Sequence, residues 1–531
     1  MKLKFVNLYL MSRYLNFIGI NINYYMLKSY YRYKNNANHN RIQWTPQHWQ
    51  PDCSVDYITN KIIEEEIDIL CMSVFVWNSD FTYQIAKKVK EINPLIKIII
   101  GGPDVNVLSN NDYFEIHNYI DYVVYGDGEE AFCKILDSIL DNKPIEDGIN
   151  IVTKEKVYPH RVFFDSDYNT KSNFLSEKDI LKNHLLEIRE STNDKFSLEV
   201  RWERARGCPY SCSFCDWSSG LHNKVKRKKS SWKEELDFLF SCPGVVVSPT
   251  DANWGMYEED IEITKYAVDN GTFYVTNLSK LNKERVYKIY DIMIKGKKTK
   301  LPKVKLSFQD IHEDVLDNIS RPDVSWKDHK SLIQSFKEKN PNIGLVAEII
   351  VGLPGQTISK QLDQLNEFKN NGITNILCFF WELIPNSPAY KEEYQTVHEL
   401  KVDSLVLLKE DNQDFKSLAD VDNAIQTGKP GWSKSNIVIG NKTQELPDIL
   451  TCFALAQVFN KSSGKGDFSL LNNSVCENIY KEMKLTADLI KETKILGIYS
   501  KKHNCYVSID KYFIDMDFET MMNNYGSTVK V

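Results

Sequence analysis

Near-continuous apolar runs, each followed by a helix-like stretch, recur along most of this chain, and that rhythm restricts the fold more than any other feature. Within residues 1–150 the strand candidates are "KLKFVNLYL", "IDILCMSVFVW", "LIKIIIGG" and "DYVVYG". The stretches "DYITNKIIEEE", "FTYQIAKKVKEI" and "EEAFCKILDSIL" read as helices, the last with Ala131, Ile135 and Leu136 on one face. Strands that are apolar on both faces and separated by helices make a parallel sheet covered on both sides. Residues 1–150 are therefore expected to form an open α/β domain with its ligands at the carboxyl ends of the strands.

Residues 151–194 are richer in polar groups and read as a connector. A second series then begins with "LEVRWERAR", "GVVVSP", "TFYVTN", "KVKLSFQ", "LVAEIIVGLP" and "NILCFFWELIP". Ile358, Leu362 and Leu365 mark the clearest helix between them. Six such units over residues 195–395 predict a partial α/β barrel, with chemistry at the strand ends. From 396 to 531 the rhythm is lost; "FALAQVF" and "NIYKEMKLTADLIKE" suggest a mostly helical region of unknown role. A chain of 531 residues has room for several domains at about 100–200 residues each. A net charge of −6 does not indicate a nucleic-acid partner. No apolar run reaches the roughly 18 residues of a membrane helix, and the polar interruptions in "MKLKFVNLYLMSRYLNF" argue against a signal peptide.

There are 11 cysteines. Most stand alone, without a disulfide framework, which predicts a reducing, cytoplasmic setting. Three do not: "RARGCPYSCSFCDWSSG" holds Cys208, Cys212 and Cys215 on the loop after the first strand of the second series. A structural zinc site would need a fourth ligand, for which His222 is a candidate, and no second Cys pair is present. A 4Fe-4S cluster fully held by protein takes four cysteines; three leave one iron open to another ligand.

CxxxCxxC after the first strand of a six-unit barrel resembles the radical S-adenosylmethionine superfamily. The resemblance implies that the open iron binds S-adenosylmethionine and that one electron from the cluster cleaves it to a 5′-deoxyadenosyl radical. It extends over residues 195–395. Phe214 matches the family's aromatic beside the adenine. Thr250 and Asp251, with Asn253, lie in "SPTDANWG" at the end of strand two, although an Asx turn explains Asp251 equally well. Asn277 ends strand three and Gln309 ends strand four. "GLPGQT" resembles the strand-five signature "GLPGET", which assigns Gly352, Pro354 and Gly355 to S-adenosylmethionine; Gln356 replaces the usual Glu. "ELIPNSPAY" resembles the stretch after strand six.

"IIIGGPDV" and "YGDGEEAF" end successive strands of the first domain. A dinucleotide reading of Gly126-x-Gly128-x-x-Ala131 competes, but it falls on the last strand of the domain and lacks the acidic residue that binds ribose. The pair instead resembles the Rossmann-like cobalamin-binding domain that precedes the barrel in the class B methylase-like branch of the superfamily. That resemblance assigns Ser73, Trp77, Asn78, Gly101, Gly102, Pro103, Gly126, Gly128 and Glu129 to cobalamin. A scaffold that has lost its cofactor is the alternative. No D-x-H-x-x-G sequence is present, so no histidine is assigned to cobalt.

Together these resemblances imply a cobalamin-dependent radical enzyme that methylates an unactivated carbon of a small-molecule, natural-product or peptide substrate. Its electron donor would be a flavodoxin or ferredoxin. Rearrangement, cyclisation or epimerisation without methyl transfer stays open, as does a non-catalytic iron–sulfur sensor.

Overall fold

The computed structural model describes the chain apart from residues 9, 13–16, 21, 50–52, 106, 108–111, 163–164, 166, 218–224, 276–282, 299–302, 322–324, 409–414 and 526–531. Strand β1 spans Lys2–Leu8, and a hairpin of β2 (Leu10–Ser12) and β3 (Phe17–Ile20) follows it. Next come β4 (Gln43–Trp49), β5 (Ile69–Ser73), β6 (Lys97–Gly101), β7 (Tyr122–Val124) and β8 (Ile151–Val152). They form one sheet in the order β4-β1-β5-β6-β7-β8, parallel except for β8. Alternate residues of β5 and β6 enter different cores. Ile69, Cys71 and Ile99 pack with Tyr24, Tyr25 and Ala131 on one side. Leu70, Met72, Ile98 and Ile100 pack with Ile58, Phe81 and Ile85 on the other. This two-sided burial explains why the strands read as unbroken apolar runs. Strand β4, with Pro46 in "QWTPQHW", is not legible as a strand; it lies at the sheet edge, where proline is tolerated.

The second series gives β9 (Ser197–Trp202), a short antiparallel pair β10 (Ala205–Arg206) and β11 (Lys226–Arg227), β12 (Val245–Pro249) and β13 (Thr272–Phe273). Then follow β14 (Lys303–Gln309), β15 (Gly344–Val351) and β16 (Asn375–Phe380). The predicted helix is present as Ile358–Asn370. The strands form two sheets, β13-β12-β9-β3-β2 and β14-β15-β16. The first sheet therefore borrows β3 from the N-terminal region, parallel to β9 with Phe17 opposite Ser197. Along β14, Val304, Leu306 and Phe308 are buried outward, while Lys305, Ser307 and Gln309 alternate with them. On β16, Phe379 is 51% exposed although its strand is covered on the other face; it points into the barrel interior.

The C-terminal region has the expected helices, Leu446–Lys465 and Asn473–Thr493. It also has a five-stranded sheet that the mostly helical expectation omits. Its strands are β17 (Lys401–Leu408), β18 (Trp432–Asn441), β19 (Gln444–Glu445), β20 (Ile495–Ser500) and β21 (Cys505–Ser508), in the order β19-β18-β17-β20-β21. Burial along β17 and β18 is irregular, so the alternation that would mark them is missing. Helix Leu446–Lys465 is buried almost all round, because it covers β16 on one side and meets Asn473–Thr493 on the other. Phe453 stacks on Phe380 at 4.4 Å, and the Asn460 side chain bonds both the N–H and the C=O of Ile376. Among the described residues no helix is long and apolar enough to cross a membrane.

Candidate functional site

The cysteine loop leaves β9 under tight control. Asp251, at the end of β12, is buried and accepts the backbone N–H groups of Arg204 at 2.8 Å and Ala205 at 2.9 Å. Burial pushes its carboxyl up to about 7, against those two hydrogen bonds. Asp251 thus fixes the start of the loop, and the Thr250 N–H bonds the Trp202 carbonyl beside it. Cys208, Cys212 and Cys215 then pack in one small cluster with Tyr210, Phe214 and Ala252. Burial, followed by the Asp216 charge and the other two thiols, pushes the Cys215 thiol up to about 12 despite a backbone hydrogen bond. Asn253 Nδ2 donates to Cys208 Sγ at 3.2 Å. From the far side, Ser213 is held by backbone bonds to Ile319 and Ala389. Among the described residues no three His, Cys, Asp or Glu side chains converge as the ligands of a single ion would. A multi-iron cluster lies between its thiolates and does not require them to meet at a point. Asn277 and His222 lie outside the described residues.

Gln309 ends β14 at a bulge with φ of 65°. Next to it, Gln356 organises the glycine-rich turn after β15. Its Oε1 accepts the N–H groups of Gly352 and Leu353, both at 3.0 Å. Its Nε2 donates to Asp310 Oδ2 at 2.7 Å and to the Ile350 carbonyl at 2.8 Å. This accounts for the departure from "GLPGET": a glutamate here would set two carboxylates against each other. Gly352 has φ of 95°, a conformation that favours glycine. The Pro354 carbonyl accepts from Asn318, and the Gly355 N–H donates to Thr443. Gln356→Glu is expected to cost about 3 kcal/mol at neutral pH, since two hydrogen-bonded donors are lost beside a buried acid. The new carboxyl would titrate above its ordinary value of about 4.3 when folded. The deficit should therefore be small in acid and grow as pH rises above that value, which urea unfolding at acidic and alkaline pH would measure.

At the carboxyl end of the first sheet, Asn78 is buried and its amide bonds the Ser73 carbonyl and the Phe75 N–H, closing that turn. The Ser73 hydroxyl accepts from Asn23. Trp77 is different: it is 40% exposed, stacks on Phe75 at 4.5 Å and faces the barrel opening. A Cβ on Gly102, whose φ is 134°, would stand 2.2 Å from the Val74 carbonyl, so this glycine permits close approach of the chain to itself. Gly101 and Gly126 are crowded by Val124 and His160. Gly128, at the start of helix Glu129–Asp141, meets nothing closer than 3.5 Å. Pro103 offers its carbonyl to Asn386 from the segment after β16.

Glu129 also has a partner. Arg206, two residues before Cys208, uses its whole guanidinium to join the two halves of the site. It donates to Asp127 Oδ1 at 2.9 Å, to Glu129 at 2.9 and 3.2 Å, and to Glu203 at 2.8 and 3.0 Å. Sequence reading did not select Arg206; its place in "RARGC" was the available signal.

Between these parts lies a cavity of about 480 Å³. The first domain contributes Val76 and Trp77, the cysteine loop Phe214, and the strand ends Gln309, Glu348 and Glu382. Leu407, Ser433 and Ser435 close it from the C-terminal sheet. Asn441 Nδ2 bonds the Gly352 carbonyl from the same sheet. Glu348 lies within "LVAEIIVGLP" and Glu382 opens "ELIPNSPAY", but neither stretch shows which of its side chains turns inward, and Leu407, Ser433 and Ser435 lie beyond both in the chain.

Residues 37–136 match the B12 binding domain, and residues 202–366 match the Radical SAM superfamily. The cobalamin-dependent radical SAM methyltransferase TokK of Streptomyces tokunonensis is 28% identical over 353 residues, covering 62% of this chain and 49% of TokK. The 2-(S-pantetheinyl)-carbapenam-3-carboxylate methyltransferase of Streptantibioticus cattleyicolor is 28% identical over 351 residues, covering 61% of this chain and 48% of that protein. The chain spans about half the length of these two relatives. The structure of the radical S-adenosylmethionine methyltransferase TsrM from Kitasatospora setae, with cobalamin and a 4Fe-4S cluster, aligns over 92% of this chain and 99% of that one, with a TM-score of 0.55. OxsB, solved with aqua-cobalamin and S-adenosylmethionine, aligns over 92% of this chain and 71% of that one, with a TM-score of 0.57. Both are 12% identical to this chain and share its fold.

Proposed function

We infer that this chain, a B12-binding domain joined to a radical SAM domain, is a cobalamin-dependent radical S-adenosylmethionine methyltransferase. One observation carries the reading: a single cavity is bounded by Trp77 of the first domain, Phe214 of the cysteine loop and Gln309 and Glu348 of the barrel. A methyl donor on one domain and a radical source on the other must reach the same substrate carbon, and this cavity lets them do so.

The residues suit the groups required. The clustered thiols of Cys208, Cys212 and Cys215 would hold a 4Fe-4S cluster, with the Asn253 amide donating to the Cys208 sulfur. Gln309, Glu348 and the turn at Gly352 would bind S-adenosylmethionine, and Trp77 with the turns at Gly102 and Gly128 would bind cobalamin. When bound, these groups supply the reducing electron, the hydrogen-abstracting fragment and the methyl group. The chain's own part is to position substrate and to exclude water, for which the apolar walls and the C-terminal closure by Leu407 serve. An electron donor of the flavodoxin or ferredoxin kind, a small-molecule or peptide substrate and a cytoplasmic location complete the reading. No disulfide joins any of the 11 cysteines, which suits a reducing compartment.

Anaerobic incubation of reconstituted protein with S-adenosylmethionine and reductant tests it. Formation of 5′-deoxyadenosine, with about one cobalamin bound per chain, is the expected result. Full turnover by protein lacking cobalamin would overturn the methyl-transfer reading.

A further inference from the structure

The cavity has two acids in its lining and no base. The first, Glu348, is held by the Ser307 hydroxyl and by Lys305 Nζ at 2.8 Å. The second, Glu382, accepts a hydrogen bond from Ser435 Oγ at 2.8 Å, and among the described residues no cation pairs with it. Burial raises its carboxyl against that hydrogen bond. Asp104, reaching over from the first domain, is pushed up to about 6 by burial, against a bond from Ser79 and with the charges of Asp80, Glu382 and Asp216 adding to the rise. The cavity wall at Glu382 thus offers a buried carboxyl with Asp104 within electrostatic reach and no basic side chain among the lining residues. The same cavity is lined by the aromatic side chains of Trp77, Phe379 and Trp381, and aromatic faces attract cations.

We propose that Glu382 anchors a protonated amine or guanidinium of the substrate, so that the enzyme selects a cationic substrate whose apolar body lies along the aromatic wall. The proposal rests on the cavity being the methyltransferase site argued above. It names what that site selects. Ser435 acts as the positioning residue, because it fixes one carboxylate oxygen and leaves the other for the incoming N–H. S-adenosylmethionine is itself a cation, so the experiment must separate the two sources of positive charge.

Two probes of matched shape do this: 2-phenylethylamine, which is protonated at neutral pH, and uncharged 2-phenylethanol. Their affinities for the cofactor-loaded protein are measured by ligand-observed NMR. The amine is expected to bind on the order of tenfold more tightly, a charge-assisted hydrogen bond's worth, and E382Q to erase that difference. E382D, which keeps the charge, should retain part of it and shows that the loss is not misfolding. Equal affinities in the parent protein, or a preference that survives in E382Q, would overturn the proposal. So would a loss of S-adenosylmethionine affinity in E382Q with the amine preference intact. Failure of the enzymatic reading shows itself separately, as absence of 5′-deoxyadenosine, and does not enter the comparison of probes.

Discussion

Replacing Cys208, Cys212 and Cys215 together by alanine is expected to abolish iron binding and all cleavage of S-adenosylmethionine, the largest effect any change in this chain should have. The thiolates are the only protein ligands the reading allows the cluster, so their removal leaves nothing to hold iron. Misfolding offers a rival explanation of such a loss, and the structure supplies the control. Cys242 and Cys476 are also buried, but in the apolar core, far from the loop in the chain. Cys242→Ala and Cys476→Ala remove a buried thiol of the same kind and are expected to keep full iron and sulfide content. The triple variant should also keep its cobalamin, because no cobalamin residue assigned here lies in the loop. Iron analysis of the three proteins decides the matter; about four irons per chain retained in the triple variant would remove the cluster from this loop.

Arg206→Ala is expected to be the most destabilising single substitution at the site, by about 3–5 kcal/mol. The guanidinium answers three carboxylates at once, and Asp127 and Glu129 are buried. Alanine would leave them facing one another, with Lys228 beside Glu203 and Lys226 within electrostatic reach of Asp127. Lysine restores the charge but not the planar five-donor fork, so Arg206→Lys should recover part of the loss. A pH signature separates this from simple packing. Burial alone would raise the Glu203 carboxyl, but Arg206 and then Lys228 outweigh it and hold the group well below the usual carboxylate range. Stability from this group is present above the ordinary value of about 4.3 and is lost as pH falls. In Arg206→Ala that acid-side loss should shrink, because less stability is there to lose. Urea unfolding between neutral and acidic pH, run on both proteins, reads it.

What could be read from the sequence was position along the chain, and what could not was direction in space. The spacing of Cys208, Cys212 and Cys215 placed them together, and the structure packs them in one cluster. The strand-end location of Asp251, Asn78 and Glu129 was equally plain, and polar residues at strand ends are natural ligand contacts. In the folded chain each of them has a partner of its own: Asp251 in the backbone at Arg204 and Ala205, Asn78 in its own turn, Glu129 in Arg206. A polar side chain at a strand end satisfies either a ligand or the protein, and residue type does not distinguish the two. Trp77 and Gln309, by contrast, do face the cavity. Strand β3 escaped notice because four residues are too few to show a period, and β17 and β18 because their burial does not alternate. Ser435 and Glu382 lie 53 positions apart and meet only through tertiary contact.

The strand exchange at β3 has a consequence for synthesis on the ribosome. Phe17–Ile20 emerges early and must wait for Ser197–Trp202 before it has a neighbour on that side of its sheet. At the opposite end of the barrel, β16 emerges with its outer face bare, and helix Leu446–Lys465 covers it only later. The N-terminal strand β3 therefore stays without its β9 neighbour until residue 202 has emerged, although N-terminal units usually fold first as they leave the ribosome. A nascent chain halted near residue 395 would carry an uncovered apolar strand, the kind of surface on which chaperones act. Covering of β16 therefore waits for a helix that ends 85 residues after it in the chain, at Lys465.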